Sequence, residues 1–131
     1  MKYLVDTGVL LHSLLSRPKL NDRALTLLAD GSAELYLSAA SSWEIAIKAN
    51  TARLVLPERP SQIVTNAMRL MSMRSLDITH FHALALEDLP DVHRDPFDRV
   101  LIAQANTEQM VLLTADRIFE KYKVDQVFCG K

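Results

Sequence analysis

The chain is 131 residues long, 49% hydrophobic, and carries a formal net charge of −1. That length fits one compact α/β domain spanning 1–131, and the apolar content excludes a disordered chain. The near-neutral charge excludes a uniformly basic nucleic-acid binder, so any nucleic acid would have to meet a local patch.

Tyr3–Val5 is a short apolar run of strand type, and Thr7–Leu15 follows with helical spacing. Asn21 can cap a helix that ends near Asp30, with Gly31 just past its end. Glu34–Ser38 alternates as a strand does, and a helix follows over Ala39–Asn50. Arg53–Pro60 is irregular, with Pro57 and Pro60 as breakers. A helix over Ser61–Met73 and a brief strand over Leu76–Ile78 come next. Thr79 can cap a helix ending near Leu89. Asp95 and Pro96 open a helix through Gln109, since proline suits the first helical position. Met110–Thr114 reads as a strand, Arg117–Tyr122 as a short helix, and Gln126–Phe128 as a last strand. Strands alternating with helices predict a parallel sheet covered on both faces. The lone Cys129 cannot form an internal disulfide, no apolar run reaches the roughly 18 residues of a membrane span, and Asp6 comes too early for a secretory leader. A cytoplasmic protein with no membrane partner is expected.

In parallel sheets, ligands gather beyond the carboxyl ends of the strands. Asp6 closes the first strand, and Asp116 follows the Met110–Thr114 strand closely. On the Ala39–Asn50 helix, Ala39, Ala40, Trp43, Ala46 and Ile47 make one apolar arc, with Glu44 at its edge. Ile45 and Ala49 lie opposite and suggest a second contact face. Asp98 shares a helix face with Leu101, Ile102 and Ala105, where a carboxylate is costly unless something satisfies it. Asp6, Glu44, Asp98 and Asp116 are hard oxygen donors with no Cys or His cluster beside them, so magnesium or manganese is the metal to expect.

Each acid also has an ordinary reading. Asp6 and Asp116 can cap the helices they precede. Asp95 and Asp98 have capping-box spacing, and Glu44 with Lys48 has the spacing of a surface ion pair. Joint placement at one end of one sheet is what favours a metal site. His93 and Arg94 lie in the loop before Asp95, within reach of a phosphate backbone. His12 reads as structural, His80 and His82 as ordinary surface or core histidines rather than ligands, Trp43 as core rather than as a base-stacking surface, and Met68, Met71 and Met73 as gap fillers or an interface.

These residues also carry a resemblance. LVDTGVLL (Leu4–Leu11), SAASSWEIAIK (Ser38–Lys48), HRDPFDRVLIAQA (His93–Ala105) and LLTADRIFEKY (Leu112–Tyr122) resemble, in order and spacing, the successive blocks of a PIN domain, nearest to the VapC-like toxin branch. The resemblance implies a Rossmann-like three-layer α/β/α sandwich around a central parallel sheet. It implies a magnesium- or manganese-dependent endoribonuclease that hydrolyses RNA with a metal-activated water and leaves 5′-phosphate and 3′-hydroxyl ends. The acidic positions of the family fall on Asp6, Glu44, Asp98 and Asp116, as both metal and catalytic residues, with Thr7, Thr114 and Asp95 in support. Lys48, His93, Arg94 and Arg99 are candidates to hold RNA. The resemblance further implies a homodimer and a cognate antitoxin, with operator DNA bound only through the antitoxin. Two positions depart from the pattern: Gly8 stands where asparagine or serine is common, and Ile118 where a further aspartate is common. A phosphatase of the haloacid-dehalogenase type needs a second aspartate at Gly8, and a receiver domain needs an acid at Val5. A catalytically silent RNA-binding or regulatory PIN fold is the remaining alternative, which the intact acidic set disfavours.

Overall fold

β1 (Lys2–Val5) runs directly into α1 (Thr7–Leu15) in a computed structural model that describes residues 1–131. Asp6 ends the strand and caps the helix at once. Its backbone is extended, and its carboxylate accepts the Val9 amide, one of the donors that a helix start leaves unpaired. Arg17–Lys19 form a 3-10 turn that the sequence did not suggest. α2 (Asp22–Ala29) starts at Asn21 as expected. The Asn21 side chain accepts the Ala24 amide and donates to Phe128 O and Gly130 O, tying the helix to the last strand. β2 (Glu34–Ser38) and α3 (Ala39–Asn50) have the boundaries read from the sequence.

The next connection differs. The apolar spacing through Met73 suggested a longer helix, but α4 (Pro60–Leu70) stops earlier, and Ser72 adopts a left-handed backbone at φ 51° that turns the chain. β3 (Arg74–Leu76) therefore begins two residues sooner than expected. α5 (His80–Leu84) is capped by Thr79 and tightens into a 3-10 turn over Ala85–Asp88. α6 (Pro96–Glu108) starts from Asp95 with proline at its first position, and left-handed Gln109 closes it. β4 (Val111–Thr114), a 3-10 turn over Arg117–Lys121 and β5 (Gln126–Phe128) complete the chain.

The strands form one five-stranded parallel sheet in the order β3-β2-β1-β4-β5. Strand alternation sends neighbouring side chains to opposite faces. Leu4 and Leu112 are register partners and pack with Leu101, Ile102 and Ala105 of α6. Val5 and Leu113 are the next partners and pack with residues of α1, α2 and α4. Two cores on either side of one sheet make the expected α/β/α sandwich. Each fully buried leucine or valine contributes roughly 1.5–3 kcal/mol, so the central strands are firmly anchored. The strand order reverses between β1 and β4, which opens a crevice beyond their carboxyl ends.

Candidate metal centre

A cavity of about 530 Å³ occupies that crevice, and Asp6, Glu44, Asp95, Asp98 and Asp116 all line it. Four segments distant along the chain thus deliver acids to one place: the β1/α1 junction, α3, the start of α6 and the turn after β4. Lys48, Arg117, His12, Thr7 and Gly8 share the wall.

Asp6 is only 5% exposed. Burial pushes its pKa up to about 7, the Thr114 hydroxyl and the Val9 amide partly offset this, and the charges of Asp98 and Asp116 add to the rise. Desolvation disfavours the charged form, and neighbouring carboxylates disfavour it further. Asp98 is raised to about 6, again first by burial. The hydrogen bond from His93 opposes the shift, while Asp95 and Glu44 reinforce it. Glu44 is 4% exposed: its Oε2 holds Lys48 Nζ at 2.5 Å, and its Oε1 is buried without a partner. The expected Glu44–Lys48 pair is therefore present, but its carboxylate is buried rather than on the surface.

The remaining acids are less constrained. Asp95 caps α6 by accepting the Phe97 and Asp98 amides at 2.9 and 3.1 Å. The reciprocal half of the expected capping box is missing, because Asp98 Oδ2 turns to His93 Nε2 at 3.1 Å. Asp116 is exposed and caps the following 3-10 turn by accepting the Ile118 amide. Thr114, wholly buried, accepts the Asp116 amide. Thr7 hydrogen-bonds to Ser41 Oγ at 2.9 Å and joins α1 to α3.

No three of these acids come close enough together to encircle one ion in their present conformations. Each carboxylate has instead a separate local partner: Val9 N–H, Lys48, His93 or the start of its own helix. The donor chemistry nonetheless fits a divalent cation. The donors are hard oxygens, Asp6 is desolvated without an adjacent cation, and Glu44 Oε1 is an orphaned buried acceptor.

Of the residues proposed to hold RNA, only Lys48 lines the cavity. Arg94 is exposed outside it. Arg99 Nη1 donates to Pro90 O, His93 O and the Tyr122 hydroxyl, so it braces the loop before α6. His93 bridges Asp98 and Tyr122. Trp43 is not core: it is 55% exposed and meets Phe97 edge-on at 5.0 Å. The buried face of α3 is instead Ala40, Ser41, Glu44 and Ile45. His82 is a core histidine held by Thr79 and Glu108. His12, read as structural, is on the cavity wall. Sequence reasoning missed Ser41, Arg117 and Tyr122. Tyr122 had no spacing signal, since its partner His93 lies in another block.

A family model described as PIN domain matches residues 3–125. No curated protein matches the chain. Among solved structures, VapBC2 from Rickettsia felis bound to a DNA fragment from its promoter is similar at a TM-score of 0.74 and 14% identity, covering 99% of this chain and 100% of that one. DNA-bound VapBC from Salmonella typhimurium is similar at 0.68 and 16% identity, covering 98% of each chain. FitAcB from Neisseria gonorrhoeae is similar at 0.63 and 20% identity, covering 95% of each. At these identities the likeness is one of fold.

Proposed function

The chain belongs to the PIN-domain family, and from that premise we propose that it is a magnesium- or manganese-dependent endoribonuclease, the VapC-like toxin of a toxin–antitoxin pair. PIN domains are in general nucleases. The observation that carries the reading is the placement of Asp6, Glu44 and Asp98, all held at a desolvation or pairing cost, on one cavity at the β1/β4 crevice. Acids with pKa values raised by burial and by neighbouring charge cluster at functional sites.

In this reading Asp6, Glu44 and Asp98 hold one or two divalent ions, and Asp116 holds a second ion or orients the attacking water. The ion, when bound, supplies Lewis-acid activation of water and offsets charge on the phosphate. The chain's own residues do the rest. Thr7 and Ser41 fix α1 against α3, so Asp6 and Glu44 stay in register across the cavity. Thr114 fixes the backbone of Asp116. Lys48 and Arg117 put positive charge on an otherwise acidic wall, where an RNA phosphate must approach.

The antitoxin partner is supported by the fold neighbours, which include a toxin–antitoxin complex and VapBC complexes bound to DNA, one of them to a promoter fragment. With a net charge of −1, the chain itself is a poor DNA binder, so operator DNA is contacted through the antitoxin. A homodimer and a cytoplasmic location belong to the same proposal; no helix is long and apolar enough to cross a membrane.

The test is cleavage of transfer, ribosomal and messenger RNA by the purified protein with manganese, with chelator, and with Asp98→Asn. Cleavage that needs the metal and is lost in Asp98→Asn is expected. Cleavage indifferent to both, or RNA bound but never cut with manganese present, overturns the reading.

A further inference from the structure

Behind Asp98 runs a chain of hydrogen bonds that the nuclease reading does not use. The Tyr122 hydroxyl lies 2.7 Å from His93 Nδ1, and His93 Nε2 lies 3.1 Å from Asp98 Oδ2. Arg99 Nη1 and the His93 backbone amide both donate to the same Tyr122 oxygen, at 3.3 and 3.4 Å. Tyr122 is only 5% exposed, and its ring meets the imidazole edge-on with centroids 5.5 Å apart.

The direction of each bond follows from counting protons. A phenol oxygen has one proton and two lone pairs. Arg99 and the His93 amide, which are donors only, point at the lone pairs. The phenol proton is then left for His93 Nδ1, which must be an acceptor. A neutral imidazole with an accepting Nδ1 carries its proton on Nε2. That proton faces Asp98 Oδ2, and the carboxylate accepts it. Asp98 lines the acidic cavity, so the oxygen His93 does not take, Oδ1, is the one open to a cation.

We infer that Tyr122 is a positioning residue of the site: acting through His93, it selects the Nε2–H tautomer and thereby fixes the orientation of the Asp98 carboxylate. Its consequence for metal rests on the nuclease reading above; the tautomer does not. Partners that orient a ligand in this way change metal affinity or activity by about 10–100-fold when removed. Tyr122→Phe deletes only the hydroxyl and keeps the buried ring, so the fold is retained. In it Nδ1 loses its donor, and the imidazole can take either tautomer.

The experiment uses the full chain in two measurements. In the metal-free protein labelled with nitrogen-15, the ring nitrogens of His93 report the tautomer. The Nε2–H form is expected in the wild type, and a mixture with Nδ1–H in Tyr122→Phe. An Nδ1–H wild type overturns the inference without any variant. In a manganese titration, Tyr122→Phe is expected to bind about tenfold more weakly. His93→Gln puts an amide donor toward Asp98 that needs nothing from the tyrosine, so adding Tyr122→Phe to it is expected to change affinity no further. An equal loss in both backgrounds, or no loss in either, overturns the inference. Protein with the expected tautomer and titration that cuts no RNA overturns the nuclease reading alone. Protein that cuts RNA with His93 in the Nδ1–H form does the reverse.

Discussion

Asp6 and Asp116 follow adjacent parallel strands, line the same cavity and cap the helical turns behind them, yet burial treats them in opposite ways. Asp6 is buried, and its pKa rises to about 7. Asp116 is exposed, with its Oδ1 on the Ile118 amide. The strand-end rule selects both equally. Capping explains both equally as well. Only the desolvation of Asp6 marks it as an acid kept at a cost, and a cost that the fold retains needs a return elsewhere. The inner wall of Asp6, Glu44 and Asp98 therefore differs from the rim of Asp95 and Asp116, where capping alone accounts for each carboxylate.

The largest separation of the two regions is expected from Asp6→Asn. Asparagine caps a helix as well as aspartate, so the Val9 bond survives while the buried charge disappears. RNA cleavage is expected to fall by about 10³-fold, roughly 4 kcal/mol of barrier. The metal-free protein is expected to melt at a higher temperature than the wild type. A lower melting temperature would place Asp6 among the structural caps.

The second prediction concerns pH and metal. The folded-state pKa of Asp6, about 7, lies above the 3.8 of an unperturbed aspartate. Below pH ~4 both states are protonated, and Asp6 imposes no penalty. Between about pH 4 and 7 the folded state binds the extra proton, so the stability of the metal-free protein falls as pH rises, by a few kcal/mol at most. Above pH ~7 the penalty is complete and constant. Asp98, raised to about 6, acts in the same direction over a shorter window. Manganese competes with those protons, so its stabilising effect should grow with pH. At about a hundredfold excess over Kd it is worth about 2.7 kcal/mol, on the order of 10 °C in Tm. Melting curves at pH 5 and pH 7.5, with and without manganese, check both signs. A Tm gain from manganese that is equal at the two pH values would contradict this account of the inner wall.

The same contrast explains what was legible in the sequence. α1, β2 and α3 have the expected bounds because caps and periodicity are local signals. The end of α4 is not legible because Met73 is buried and continues the apolar spacing, although Ser72 has already turned the chain. β3 is an edge strand with mostly exposed side chains, so it lacks the pattern of a buried strand. On α3 the apolar arc faces outward at Trp43 and Ile47, while Ser41 and Glu44 face inward. Hydropathy cannot anticipate polar residues that are buried to build a cavity wall. The rim acids were legible as caps; the burial of Asp6 and the His93–Tyr122 bond depend on tertiary packing.

Lys48 tests the inner wall from the other side. Its ammonium is the only partner of the Glu44 carboxylate, whose second oxygen has none. Lys48→Met keeps most of the aliphatic stem and removes the charge. Glu44 is left buried and unpaired, but the lysine side chain is 38% exposed and its ion pair partly screened, so the loss is expected to be about 1 kcal/mol. Manganese should bind several-fold more tightly, because Glu44 Oε2 no longer has a competing cation. Weaker binding in Lys48→Met would show that the pair orients Glu44 for the metal instead of opposing it. Denaturant melts and a manganese titration on the same protein separate the two effects.

The smallest effect is expected at the rim. Asp116→Asn keeps the acceptor for the Ile118 amide, so the 3-10 turn over Arg117–Lys121 stays capped. Stability should change by less than about 0.5 kcal/mol at either pH, since an exposed carboxylate imposes no desolvation penalty that asparagine could relieve. Asp116→Ala deletes the cap and should cost about 1 kcal/mol. If Asp116 orients water or holds a second ion, cleavage falls in both variants by a similar factor, on the order of tenfold, although only the alanine variant loses stability. If cleavage instead follows stability, with Asp116→Asn as active as the wild type, the acid is a cap alone. Catalysis would then belong wholly to the inner wall of Asp6, Glu44 and Asp98.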